Sequence, residues 1–138
     1  NIIRICADNP FIDPSEIKKL ITFYKKKNYD YVCNRQVFSE IYADGFGAEI
    51  FRSKILEEIY EKKLNDEFKE HVTLYLYNNN MYKTTCLDSD CNLNDINKYG
   101  KFDLDTQSDF LKLEKIAKSI SIDDYFLKII ENLNLEKK

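Results

Sequence analysis

Two aspartates far apart in the chain, Asp8 and Asp105, stand where a carboxylate can do chemistry. Asp8 follows Ile2, Ile3 and Ile5, β-branched apolar residues with the composition of a strand buried on both faces. Asn9-Pro10 cannot continue a ladder, so the carboxylate is left just past the carboxyl end of that strand. Open α/β sheets bind their ligands at that position. Asp105 follows residues 101–104, which read as another short strand, and it precedes a helix start. If the two strands lie close in one sheet, both carboxylates converge on one crevice. A few hard oxygen ligands, completed by water and substrate phosphates, suit Mg²⁺. An aspartate before a helix also serves as a plain cap, and that reading stays open for each.

Other groups carry weaker signals. His71 is the one histidine, read on a helix beside Phe68 and Val72 with Glu70 as its neighbour. It is either a locally hydrogen-bonded side chain or an acid–base group. Asp44 and Glu49 flank a glycine turn in which Gly45 permits close backbone approach, and turn chemistry explains them equally well. Two metal-like patterns fail. Asp88-x-Asp90-x-Asn92 opens like a calcium loop, but Leu93 stands where glycine is required and Tyr99 where glutamate closes the site. Cys86 and Cys91 with His71 are widely spaced and lack a fourth zinc ligand.

The elements that position these groups follow from patterning. Asp13-Pro14-Ser15-Glu16 marks a helix start, with Asp13 as cap, Pro14 in the first turn and Glu16 as the acid of a capping box. Ile17, Leu20, Ile21 and Tyr24 give that helix its apolar stripe, and the lysines at 18, 19 and 25–27 fill a solvated face. Residues 29–34 read as the next strand, completing a β-α-β unit that implies parallel strands. Residues 35–43 have no period and read as loop. Residues 44–51 alternate like a strand entered through the glycine turn. Ser53 can cap a helix reaching Lys63, with Ile55, Leu56, Ile59 and Tyr60 on its apolar side. Residues 81–86 form another strand, and 87–100 are a polar, acidic connection. Thr106 and Asp109 then box the start of a helix with Phe110, Leu113, Ile116, Ala117 and Ile120 inward, and Ser121 with Asp124 caps a last one.

The bulk numbers bound the class. A chain of 138 residues can bury one sizeable core, and 43% hydrophobic with 33% charged residues is ordinary for a globular protein. A net charge of −3 offers no footprint for nucleic acid or an anionic membrane. No apolar run approaches the ~20 residues of a membrane span. Four cysteines without framework spacing lead us to expect reduced thiols and a cytoplasmic setting. The three glycines, Gly45, Gly47 and Gly100, form no phosphate loop, so the chain is expected to be the later part of a longer one.

Four blocks resemble one family. Residues 4–14, R-I-C-A-D-N-P-F-I-D-P, resemble the R-(I/V)-T-(G/A)-D-x-P-(L/F)-I-D-P segment of cytidylyltransferases, in particular the spore-coat polysaccharide group related to CMP-Kdo and acylneuraminate cytidylyltransferases. Cys6 stands where that family has threonine. Residues 43–51 are similar to its P-D-G-L-D-V-E-(V/I)-F, with Asp44, Gly45, Glu49 and Phe51 in place and Ala43, Gly47 and Ala48 departing. Glu70-His71-Val72-Thr73 matches its E-H-V-T, and the Asp105-Thr106 stretch its V-D-T-x-E-D-(L/F).

The resemblance implies a Rossmann-like nucleotide-diphospho-sugar transferase fold, α/β and mostly parallel, lacking its N-terminal nucleotide-binding strands. Residues 1–138 would be the C-terminal part of one domain: 1–34 strand-helix-strand, 44–120 an acceptor and metal half, and 121–138 a C-terminal helix. It implies transfer of CMP from CTP to an acidic or modified sugar for surface polysaccharide, with this chain alone inactive. Asp8 and Asp105 would hold Mg²⁺ and His71 would aid catalysis. Asp44, Gly45, Glu49 and Glu70 would bind the acceptor sugar. CTP and that sugar are the expected partners, and a homodimer fits the family's habit. Two rival readings remain. Asp103-x-Asp105 is the D-x-D of sugar-nucleotide glycosyltransferases, and a diverged, non-catalytic binding module would keep the fold alone.

Overall fold

The protein was analysed as a computed structural model that describes residues 1–34, 44–62, 64, 66, 68, 71, 73–87, 101–121 and 129. Strands β1 (Ile2–Ile5), β2 (Tyr31–Cys33), β3 (Ala48–Phe51) and β4 (Thr84–Cys86) form one sheet in the order β1-β3-β2-β4. Helix α1 (Pro14–Lys26) joins β1 to β2, and α2 (Ser53–Glu61) follows β3. Helix α3 (Leu74–Tyr77) is a single turn before β4, and α4 is Gln107–Ser119.

The sheet is α/β but mixed. β2 and β4 pair in parallel, whereas β3 runs antiparallel to both β1 and β2. The expected mostly parallel sheet therefore survives only as strand direction: β1, β2 and β4 point one way, and β3 is threaded against them. Burial explains which strand sits centrally. All four residues of β3 are buried, while β1 carries Arg4 and lies at the edge of the described sheet. A guanidinium costs less at an edge than in a central strand.

The expectation that β1 is buried on both faces is corrected by the same fact. Ile3 pairs with Ile50, on the face where Leu20, Tyr24, Val32, Ala48 and Ile50 form a cluster under α1. Helix α1 packs on β2 and β3, so Ile3 and Ile5 lie beyond its main cover, 40% and 44% exposed. On the opposite face Tyr31, Cys33, Phe51, Ile55, Ile59 and Leu76 form a second cluster, with Ile2 and Cys86 packed against it. The Cys33 and Cys86 sulfurs face each other at 3.0 Å.

Local signals held well at two helix starts. Asp13 Oδ1 accepts from the Ser15 amide at 2.7 Å with Pro14 in the first turn. Thr106 and Asp109 make a full capping box. Others needed correction. Helix α2 begins at Ser53 itself, with Arg52 in the cap position and no side-chain cap bond. Tyr60 is 87% exposed, not on the apolar side. Helix α4 buries Leu113 and Ile116 but leaves Phe110 and Ala117 exposed. Residues 101–104 form no strand. Their amides are divided between two loops, Phe102 N–H to the Asp44 carbonyl and Leu104 N–H to the Asp8 carbonyl, so no ladder with one neighbour can form. The last helix read from Ser121 and Asp124, the acidic connection at 88–100 with Cys91, and the 35–43 loop lie outside the described residues. No described helix is long and apolar enough to cross a membrane.

Candidate active site

Three loops meet at the carboxyl ends of β1 and β2, and three phenylalanines explain why. Phe11, Phe46 and Phe102 each lie within three residues of an acid of the site: Asp8, Asp44 and Asp103 respectively. Phe46 and Phe102 are fully buried with ring centroids 4.8 Å apart in an edge-on contact. Phe11 stacks on Phe46 at 6.3 Å and meets the edge of Phe102 at 6.4 Å. The apolar trio draws the loops together, and the backbone then locks them. Phe102 N–H donates to the Asp44 carbonyl at 3.0 Å and Leu104 N–H to the Asp8 carbonyl at 2.8 Å. Asn9 Nδ2 donates to the Gly47 carbonyl at 3.3 Å, and Asn34 Oδ1 accepts from the Ala48 amide at 2.7 Å.

Gly45 makes this approach possible. It has φ +93°, and a Cβ there would lie 2.3 Å from the Phe102 carbonyl carbon. Only glycine fits both the conformation and the space. The close approach it permits is therefore to the 102–103 backbone, and Gly45 does not line the cleft.

The resulting cleft has a volume of about 250 Å³. Arg4, Cys6, Asp8 and Asn9 line it from the β1 side, Asp44, Gly47 and Glu49 from the β3 side, and Asp103 and Asp105 from the segment before α4. Folding thus brings Asp8 and Asp105, 97 positions apart by their numbers, to one cavity.

The charges here are not equivalent. Lys101 Nζ lies 2.7 Å from Asp105 Oδ2, 3.4 Å from Asp103 Oδ2 and 3.6 Å from Asp109 Oδ2. The hydrogen bond to Asp105 raises the Lys101 pKa, and the same bond holds the Asp105 carboxyl below the usual carboxylate range. Asp103 moves the other way: burial disfavours its charge, the nearby Asp44 adds repulsion, and its pKa rises. Lys112 anchors this segment from α4, donating to the Lys101 carbonyl with its ammonium 4.9 Å from the Phe102 ring centre.

The cleft's acids fit a cation in part. Asp8 Oδ1 and Asp103 Oδ1 are buried carboxylate oxygens with no hydrogen-bond partner. Unpaired buried acceptors are costly, and a bound cation relieves that cost. Among the described residues no three His, Cys, Asp or Glu side chains stand close enough to cage a metal by themselves. Two carboxylates that leave the remaining positions to water and substrate phosphates are the arrangement Mg²⁺ favours.

His71 is not brought there. It sits exposed in a bend, not on a helix, its carbonyl accepting from the Leu74 amide at 2.8 Å, and it does not line the cleft. The α3 turn it precedes packs with α2 against the face around Tyr31 and Phe51. Glu70 lies outside the described residues. The sequence reading gave Arg4 no role at the site and named Asp103 only in the rival D-x-D pattern. Arg4, Cys6 and Asp8 repeat at the two-residue period of a strand face, which is the signal that could have found Arg4.

The cytidylyltransferase family profile matches residues 1–134. An uncharacterised protein of Methanocaldococcus jannaschii is 32% identical over 88 residues, 63% of this chain and 34% of its own. Spore coat polysaccharide biosynthesis protein SpsF of Bacillus subtilis is 34% identical over 80 residues, 56% of this chain and 30% of its own. A solved cytidylyltransferase from Leptospira borgpetersenii superposes with a TM-score of 0.86 at 19% identity, over 99% of this chain and 56% of that one. The matched segments thus span about a third of each curated relative, and this chain covers about half of the solved structure.

Proposed function

This chain belongs to the cytidylyltransferase family, and from that premise we propose that it takes part in transferring a cytidylyl group from CTP to a sugar. The acceptor oxygen attacks the α-phosphorus, the bond from that phosphorus to the bridging oxygen breaks, and pyrophosphate leaves with the electron pair. Asp8 and Asp105 would hold Mg²⁺ at the cleft. When bound, such an ion supplies neutralisation of the charge that builds on the α-phosphate and on the departing pyrophosphate. Lys101 pairs with Asp105 at 2.7 Å at the edge of the cleft, and the Phe trio holds the two acids in register before ligand arrives. Asp44 and Glu49, on the opposite wall, are the proposed acceptor side of the cleft. His71 could serve the acceptor only from a separate surface.

The single observation that carries this reading is the shared cleft of Asp8 and Asp105, with the unpartnered Asp8 oxygen buried in it. The likeness to a spore coat polysaccharide biosynthesis protein supports a polysaccharide sugar as acceptor, and we propose that this sugar is acidic or modified. We also propose that the 138-residue chain alone does not turn over, because its three glycines supply no loop to grip the phosphates. Calorimetry of CTP binding to the longest natural chain, with and without Mg²⁺, tests the proposal. Binding that requires the cation supports it. Cation-independent or absent binding points to a diverged module, and preference for a nucleotide-sugar over CTP points to a glycosyltransferase.

A further inference from the structure

Among the described residues, Arg4 is the one basic side chain lining a cleft whose charged groups are otherwise Asp8, Asp44, Glu49, Asp103 and Asp105. It lies in β1 directly across from Glu49 in β3, and its NH1 group donates to Glu49 Oε1 at 3.1 Å. The pair is asymmetric: the Glu49 side chain is 2% exposed and that of Arg4 31%. Among the described residues this is the one bond recorded for Arg4, and a guanidinium carries five N–H donors in a planar fork. A buried carboxylate that merely stabilised the sheet could be replaced by an apolar pair without loss. A carboxylate buried behind a guanidinium that still reaches a ligand cleft has a further use. It holds the fork at a fixed angle, so that little orientational freedom is lost when an anion docks.

We propose that Arg4 binds an oxyanion of the ligand in this cleft, through two parallel N–H···O bonds, with Glu49 as the positioning residue behind it. The ligand class is a phosphate or a sugar carboxylate, whose planar or near-planar oxygen pair the fork matches. An anion entering among four aspartates is repelled by each, and Arg4 is the fixed positive charge of the wall that offsets them. The inference deepens the nucleotidyl-transfer reading and rests on it for the identity of the site. On this assignment Glu49 serves the acceptor side of the cleft through Arg4, and Asp44 is left as the acid that meets the sugar directly.

The test uses the longest natural chain and three probes without turnover: inorganic pyrophosphate, glucuronate and glucose, titrated by calorimetry. Wild-type protein is expected to bind at least one of the two anions and to distinguish glucuronate from glucose if the carboxylate is the source. Arg4→Lys keeps the charge and loses the fork, and is expected to weaken that anion about ten- to hundredfold while leaving glucose unchanged. Glu49→Gln is expected to cause a smaller loss with Arg4 still present. A cross-strand ion pair with no ligand role would tolerate the lysine. Modification of arginines with phenylglyoxal, mapped by peptide mass, gives a readout that needs no variant: the anion should protect Arg4 and leave Arg52 reactive. Equal anion binding by Arg4→Lys, no anion binding by wild type, or no protection of Arg4 overturns the inference. If Arg4 holds an anion while CTP binding shows no cation dependence, the nucleotidyl-transfer reading falls and the Arg4 assignment stands. If CTP binds with Mg²⁺ and Arg4→Lys changes nothing, only the Arg4 assignment falls.

Discussion

The cleft and the surface around His71 differ in what holds their polar groups. In the cleft, each loop is tied to another by a backbone bond and by a ring of the Phe11, Phe46 and Phe102 cluster. Its acids are therefore placed by groups that are not themselves reactive. His71 sits on an exposed bend anchored by a local backbone bond to Leu74, three residues before the single-turn helix Leu74–Tyr77 begins. A group can be chemically suitable in either place. Only the cleft fixes its groups before ligand arrives, and preorganisation is what makes charges effective in catalysis.

The largest expected effect is on the ring cluster. Phe102→Ala removes a fully buried ring and should cost about 3–5 kcal/mol, read as a fall in the urea midpoint, with cation-dependent CTP binding lost in parallel. If ligand binding survives in the folded fraction, the cluster does not position the acids. Asp8→Asn comes next. It should lower turnover of the longest natural chain about 10²–10³-fold, the cost of losing one preorganised charge-stabilising group, while the thermal midpoint stays or rises. A large fall in the midpoint would make Asp8 a structural residue instead.

A smaller effect is expected at the α4 start, which carries the Asp103–Asp105 segment. Thr106→Ala should cost about 1 kcal/mol at neutral pH. The Thr106 hydroxyl bond lowers the Asp109 pKa. A carboxylate depressed in the folded state stabilises it above the ordinary carboxylate pKa, and that contribution is lost as pH falls through the folded value. The difference between Thr106→Ala and wild type should therefore shrink below about pH 4, where Asp109 becomes protonated. A gap that is constant down to pH 2 would contradict the box. Least of all should happen at His71: His71→Asn is expected to shift stability by under about 0.5 kcal/mol and leave Mg²⁺-dependent CTP affinity unchanged. A tenfold loss of affinity there would join the two regions into one site.

How far the chain could be read before folding depended on the range of each interaction. Asp13 with Pro14, and Thr106 with Asp109, were legible because a cap is a bargain between residues two or three apart. The family itself was legible in four blocks, residues 4–14, 43–51, 70–73 and 105–110, because contiguous residue types resemble the family's motifs there. The place of β3 was not. Its antiparallel place between β1 and β2 is set by pairing across the sheet, a comparison among strands rather than a property of any one. The 101–104 segment misled for a related reason, because its alternation is that of a strand while its amides belong to two separate loops.

Sequence by itself therefore determined the starts of α1 and α4, the α/β class and the two acids worth watching. Tertiary structure alone decided that Asp8 and Asp105 share a cavity, that Asp103 enters it, and that Arg4 stands opposite Glu49 with His71 elsewhere. Those outcomes rest on a Gly45 backbone that has no Cβ to collide with Phe102 and on rings meeting across about ninety residues of chain. Proximity between residues so distant in sequence is set by which surfaces pack, and no local pattern carries that information.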